Sequence, residues 1–149
     1  MPRVSRWLPV ADLHGIALGP EDLSTALGVT PDLESMRYAS FALAMVANAA
    51  GVKVYACPGS VGEFRDLAAW RTLEAGRRIG SHGKLRIHPA QGGPASDVFS
   101  PTAQELDWAR RVCAAWDEAQ GQDAVAVDGK MVDLPVAQRA RDMLARQRV

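Results

Sequence analysis

Apolar residues recur along the chain with two different periods, and the switches between them mark out the elements. Residues 13–19, LHGIALG, form an almost unbroken apolar run of strand length that stops at Gly19-Pro20, as expected of a parallel strand buried on both faces. The stretch 20–28, PEDLSTALG, predicts a short helix. A longer helix follows, in which Leu33, Met36, Leu43 and Val46 recur at near-helical spacing, with Thr30 as N-cap, Pro31 in the first turn and Gly51 as the stop. Residues 52–59, VKVYACPG, predict a second strand, and residues 62–80 a helix with Phe64, Leu67, Trp70 and Leu73 on one side and Gly80 at its end. Residues 83–89, GKLRIHP, predict a third strand closed by proline. Strand, helix, strand, helix, strand is the pattern of an α/β fold with a parallel sheet and right-handed crossovers.

After a Gly-Pro-rich connection at residues 92–96 the pattern becomes helical again. Thr102 and Glu105 have the spacing of a capping box, and Leu106, Ala109, Val112, Cys113 and Trp116 supply an apolar stripe. Residues 124–135, AVAVDGKMVDLP, are a short β-type run carrying two acids and a lysine, in which AVAV reads as one further strand. A basic helix follows, its arginines crowded toward the C-terminal end where the helix dipole favours cations. Asp128, beside Gly129, fits a turn. Asp133, just ahead of the terminal helix, fits an N-cap.

Composition narrows the classes of partner. The 149 residues are 48% hydrophobic and 23% charged, in the range of a globular protein with one domain's worth of core. Lys plus Arg equal Asp plus Glu at 17 each, so no global field points to nucleic acid or to an anionic membrane. A ligand met in a pocket is the better expectation. Asp12 and His14 interrupt the apolar positions of the N-terminus, which therefore lacks the h-region of a signal peptide, and a soluble cytoplasmic protein is expected. Cys57 in a strand end and Cys113 inside a helix read as two buried, reduced thiols.

In parallel α/β folds ligands bind beyond the carboxyl ends of the strands. Those ends carry GPEDL (19–23), ACPGS (56–60) and IHPAQ (87–91). Asp22 is either a first-turn acid favoured by the helix dipole or a carboxylate ligand for Mg²⁺, which takes one or two protein carboxylates and keeps positions for water and substrate. His88 is held extended by the following proline and is either a local cap or a pocket residue. His14 and His82 have no sequence partner at a metal-ligand spacing and read as structural or exposed.

Taken together, GPEDL, GKLRIHPAQ, SPTAQELDWARRV and VAVDGKMVDLPV, in that order and spacing, resemble the C-terminal half of the citrate lyase beta-subunit-like proteins. These are the HpcH/HpaI-type aldolases that include the malyl-CoA and citramalyl-CoA lyases. The resemblance covers nearly all of residues 13–146. It implies the last three strands of a (β/α)8 TIM barrel over residues 1–100, and a C-terminal helix and lid segment over 101–149. It further implies a Mg²⁺-dependent carbon-carbon lyase acting on an acyl-CoA thioester and a 2-oxo acid, in a homo-oligomer, usually a trimer. Asp22 matches the metal-binding aspartate; Gly19, Pro20 and Glu21 match the backbone stretch near the 2-oxo acid. His88, Pro89, Ala90 and Gln91 match the segment bordering the CoA-side pocket. Asp133 matches the acid that a lid carries into a neighbouring subunit's site for proton transfer.

The family's first five strands, with the glutamate that is a second metal ligand and the arginine that holds substrate, lie outside the matched stretch. VYACPGSVGEF also departs from the acid-containing version common in the family's seventh-strand segment. Two functional expectations follow. One is a lyase half completed by a chain that supplies the N-terminal half-barrel. The other is an inactive half-barrel that self-associates through open edges or retains CoA binding.

Overall fold

A computed structural model of the chain describes residues 13–59, 67–120 and 123–146, the side chains of 67–70 excepted. The chain divides into two compact units, Met1–Phe99 and Ser100–Val149.

In the first unit, strand β1 (Gly15–Ala17) leads into helices α1 (Pro20–Leu27) and α2 (Leu33–Ala49), then strand β2 (Lys53–Tyr55) and helix α3 (Leu67–Arg78), with helix α4 (Gly92–Phe99) at the end. The strands β1 and β2 pair in parallel, Ile16 opposite Val54, as the apolar runs and the intervening helix predict. Leu18 N–H extends the ladder to the Tyr55 carbonyl at 3.1 Å. Leu43, Ala44 and Ala47 of α2 bury against Val52, Val54 and Ala56, with Leu13, Ile16, Leu18 and Ile79 packed around them. Alanines at three of these positions allow close approach of the helix to the sheet. Fully buried Val54 alone contributes on the order of 2 kcal/mol by leaving water. A second cluster joins Cys57 and Leu73 to Ala95, Val98 and Phe99 of α4.

Three local expectations are corrected. Helix α2 is capped by Asp32 and not by Thr30, so Pro31 lies ahead of the first turn. The Asp32 carboxylate accepts the Ser35 N–H at 2.8 Å and the Thr30 hydroxyl at 2.5 Å, and the charged oxygen is the stronger acceptor. These hydrogen bonds, the Ser35 N–H foremost, hold its pKa below the ordinary carboxylate value. Second, residues 83–89 form no regular strand. The flank of β2 is met earlier, at Ser81 and His82: His82 N–H donates to the Val54 carbonyl at 2.7 Å, and Ser81 Oγ accepts the Ala56 N–H at 3.0 Å and donates to the Val54 carbonyl at 3.1 Å. A side chain thus takes the backbone groups that a third strand would have paired. Third, the Gly-Pro-rich residues of 92–96 belong to α4, where Pro94 falls in the first turn, the one place a helix tolerates it.

In the second unit, helix α5 (Ala103–Glu118) begins with the expected capping box. Thr102 N–H donates to Glu105 Oε2 at 2.8 Å and Glu105 N–H to Thr102 Oγ1 at 3.2 Å. AVAV forms strand β3 (Ala124–Val127), which pairs antiparallel with β4 (Lys130–Asp133) in a hairpin. The connecting Asp128 and Gly129 have φ of 51° and 72°, the two left-handed residues of a type I′ turn. Helix α6 (Leu134–Arg146) follows without a break. Ala109 and Val112 of α5, Val132 of β4, and Ala137 and Ala140 of α6 form the core. The Arg139 guanidinium lies 5.8 Å from the Trp108 ring centroid, a cation–π contact at the margin of that core. The ion pairs Arg111–Asp128 and Arg141–Asp117 are both solvent-exposed and contribute little.

Candidate functional site

Because β1 and β2 run parallel, the loops after them emerge on the same side, and a cavity of about 280 Å³ opens there. Leu18, Gly19, Pro20 and Glu21, leaving β1, form one wall. Tyr55 and Cys57, two residues apart at the end of β2, form another. Lys84, Leu85, Ile87 and Gln91 close it. Glycines make room for the tyrosine: a Cβ on Gly15 would lie 3.0 Å from one edge of the Tyr55 ring, and a Cβ on Gly83 3.2 Å from its other edge.

The polar groups of the cavity are few and well defined. Lys84 Nζ donates to the Gly59 carbonyl at 3.0 Å. Burial lowers the Lys84 pKa from the ordinary lysine value, an effect opposed by the neighbouring Cys57 sulfur. Burial pushes the Cys57 thiol up to about 11, against the opposing pull of the Lys84 charge and a Ser81 hydrogen bond. The thiol is therefore neutral at physiological pH and contacts the Gly83 carbonyl at 3.5 Å.

Of the residues expected from sequence, Gly19, Pro20, Glu21 and Gln91 meet in this cavity. Asp22 sits beside it in the first turn of α1, exposed, its carboxylate folded back to within 3.1 Å of the point a Gly19 Cβ would occupy. His88, Pro89 and Ala90 are exposed and do not line the cavity. His88 is a cap: its Nδ1 accepts the Ala90 N–H at 3.1 Å, while Gln91 Oε1 accepts the Ile87 and His88 N–H groups at 3.0 and 3.3 Å. His82 is structural, its Nδ1 accepting the Val54 N–H at 3.3 Å. Asp133, half-buried in the second unit, caps α6 by accepting the Val136 N–H at 3.2 Å.

Sequence reasoning did not single out Tyr55 or Lys84; it placed Cys57 in the strand-end cluster ACPGS but read its thiol as buried and reduced. The period-2 relation of Tyr55 and Cys57 at a strand end was the available signal, as was a lysine inside a strand-length apolar run of a chain whose other cations are mostly arginines. Among the described residues no group of three or more His, Cys, Asp and Glu side chains is assembled to hold a metal ion. A cation beside this cavity would find Asp22 and Glu21, which suffices for the protein share of a Mg²⁺ shell only if further ligands come from elsewhere. No helix among the described residues is long and apolar enough to cross a membrane.

No family model matches the chain. Curated relatives do: the (3S)-malyl-CoA thioesterase of Cereibacter sphaeroides is 37% identical over 139 residues, covering 90% of this chain and 48% of that protein. The citrate lyase subunit beta of Escherichia coli is 34% identical over 142 residues, covering 90% of this chain and 45% of that protein. Among solved structures, CitE from Mycobacterium tuberculosis in complex with magnesium, acetoacetate and coenzyme A superposes with a TM-score of 0.72 at 25% identity, over 91% of this chain and 52% of that one. The chain thus spans about half the length of the curated relatives it matches. With an α/β arrangement in common and sequence identity extending over nine-tenths of its residues, the chain belongs to the citrate lyase beta-like family.

Proposed function

We propose that this chain is the C-terminal half of a Mg²⁺-dependent carbon-carbon lyase that cleaves or forms a bond between an acyl-CoA thioester and a 2-oxo acid. The observation that carries the reading is the cavity at the carboxyl ends of β1 and β2, walled by Gly19, Pro20 and Glu21 with Asp22 alongside. The magnesium, acetoacetate and coenzyme A in the CitE complex support the same chemistry.

In this reading residues 1–100 complete a barrel begun by other residues, and 101–149 form its lid. Asp22 is the metal ligand, and the Gly19–Glu21 backbone faces the 2-oxo acid. The turn from His88 to Gln91 borders the CoA side. Bound magnesium would polarise the carbonyl of the 2-oxo acid. Asp133 exchanges a proton with the α-carbon of the thioester, delivered from a neighbouring subunit of a trimer-like homo-oligomer. Leu18, Leu85 and Ile87 give the cavity apolar walls, which would exclude water from the carbanion-like intermediate once the completing half-barrel covers the exposed Leu85 and Ile87. The second Mg²⁺ ligand and the substrate arginine come from an N-terminal half-barrel, and the assembly works in the cytoplasm.

Co-expression with an N-terminal half of a relative, followed by an assay for Mg²⁺-dependent cleavage of malyl-CoA and citramalyl-CoA, tests the proposal. Turnover that Asp22→Asn abolishes is expected; a correctly assembled complex without turnover refutes it. A second reading, a non-catalytic half-barrel that self-associates, is favoured by Leu85 and Ile87, which are 59% and 77% exposed beside a two-stranded sheet. Sedimentation of the chain alone as a monomer would dismiss it.

A further inference from the structure

The cavity brings a lysine ammonium among largely apolar side chains, with Glu21 the one acid in its lining and, among the described residues, no carboxylate ion-paired to the lysine. Lys84 lines the cavity together with Leu18, Leu85 and Ile87. An ammonium has three N–H donors. Among the described residues one is occupied, by the Gly59 carbonyl at 3.0 Å, and no carboxylate forms an ion pair with Lys84. The Cys57 thiol, which lines the same cavity, is kept neutral by burial and supplies no negative charge. A half-buried charge with no partner is costly, and burial already biases Lys84 toward losing its proton. An anion entering the cavity would reverse that bias, because the pair would recover in Coulomb energy and hydrogen bonds what the lone ammonium lost on leaving water.

The walls set the rest of the ligand. About 280 Å³ is small for a ligand pocket, and the apolar side chains of Leu18, Leu85 and Ile87 match a hydrocarbon body better than a second charge. We propose that Lys84 is the anion receptor of this cavity, taking the carboxylate of a short-chain organic acid whose hydrocarbon body lies against Leu18, Leu85 and Ile87. The inference deepens the lyase reading by giving the same cavity a specificity-determining residue, and it rests on that reading only for the cavity's being a substrate site. Lys84 acts here as a binding group; no proton or bond is transferred through it.

The test is a titration of the ¹⁵N-labelled full chain in EDTA with butyrate, with butyramide as its neutral isostere, and with inorganic phosphate. Butyrate should shift the Gly59, Lys84 and Leu85 amides saturably, and butyramide should bind about tenfold or more weakly, the factor a charge-assisted hydrogen bond confers. Lys84→Met should weaken butyrate by the same factor and leave butyramide unchanged, and Lys84→Arg should restore most of the butyrate affinity. Equal binding of butyrate and butyramide overturns the proposal, as does butyrate binding that survives in folded Lys84→Met, or no butyrate binding at all. Phosphate binding as tight as butyrate's would make this a bare anion site and overturn the organic-acid assignment. If Lys84→Met fails to fold, the butyrate-to-butyramide ratio on the wild-type chain and on Lys84→Arg decides. Because the titration needs neither metal nor a second half-barrel, an inactive reconstituted complex with intact butyrate binding would sink the lyase reading alone.

Discussion

Asp133 is the residue at which a structural and a catalytic role can be separated quantitatively. Its Oδ1 accepts the Val136 N–H at 3.2 Å and so satisfies one of the unpaired donors at the start of α6. Removing that acceptor with Asp133→Ala should cost about 1 kcal/mol, the usual worth of an N-cap carboxylate. Asparagine caps nearly as well as aspartate, so Asp133→Asn should stay within about 0.5 kcal/mol of wild type, the residue being the lost favourable charge at the helix N-terminus. In a chain of this size the alanine variant should melt about 2–4 °C lower and the asparagine variant within about 2 °C. Urea and thermal unfolding followed by circular dichroism measure both. The proton-transfer role predicts a different ordering in the reconstituted complex, since both variants lack an ionisable group and both should lose turnover. Retained turnover in Asp133→Asn would refute the catalytic assignment and leave only the cap. An asparagine variant as destabilised as the alanine one would refute the capping argument instead.

Three further outcomes test the packing and the turns within the two units. A Cβ on Gly76 would overlap Cys57 Sγ and lie 3.2 Å from Cys57 Cα, so Gly76→Ala should destabilise by about 1–3 kcal/mol, whereas Gly93→Ala, in a helix with open space around it, should be neutral or stabilising by up to about 1 kcal/mol in the same denaturation assay. Cys57 has its pKa raised from 9.0 to about 11, so the folded state holds the thiol proton more tightly than the unfolded state; the stability gained over Cys57→Ala should be fully present below pH 9 and decline by about 3 kcal/mol as pH rises through 11, and a pH-independent difference would refute the burial argument. Gly129 has φ of 72°, so Gly129→Ala should cost about 1 kcal/mol by straining the hairpin turn, measured as a lower urea midpoint.

The parts of the fold that were legible in sequence are those in which local chemistry and tertiary packing agree. The Thr102–Glu105 capping box and the Asp128-Gly129 turn are written in residues that can do little else at that spacing. The parallel pairing of β1 and β2 followed from two apolar runs separated by a helix. The third strand was misplaced because KLRI has the composition of a strand while its backbone partners were already taken: Ser81 and His82 occupy the Val54 and Ala56 groups on that flank of β2. Leu85 and Ile87 are left beyond the ladder, at the cavity rim. A hydroxyl that replaces a ladder bond leaves no periodic signature, which is why hydrophobic pattern alone extended the strand too far. Lys84 was overlooked for a related reason: its place in the cavity depends on the Gly59 carbonyl, twenty-five residues earlier in the chain.

Helix capping and proton transfer at Asp133 are compatible because a carboxylate has two oxygens. The cap engages Oδ1, and among the described residues Oδ2 has no hydrogen-bond partner. The Val132 side chain just before it is buried in the core of the second unit, and Asp133 itself pairs with Ala124 across the hairpin. The backbone on both sides of the acid is therefore fixed, by a ladder on one side and a helix on the other, while Met131 and Leu134 next to it are 71% and 59% exposed. The proposed delivery of Asp133 into a site formed by other residues would need this combination of a rigid mount and an available oxygen. The same reasoning separates the two acids of AVAVDGKMVDLP. Asp128 spends a carboxylate oxygen on Arg111 at 2.6 Å in an exposed turn, and Asp128→Asn should leave both stability, within about 0.5 kcal/mol, and turnover of the reconstituted complex unchanged. Loss of turnover in Asp128→Asn with Asp133→Asn active would reverse the assignment of the two residues.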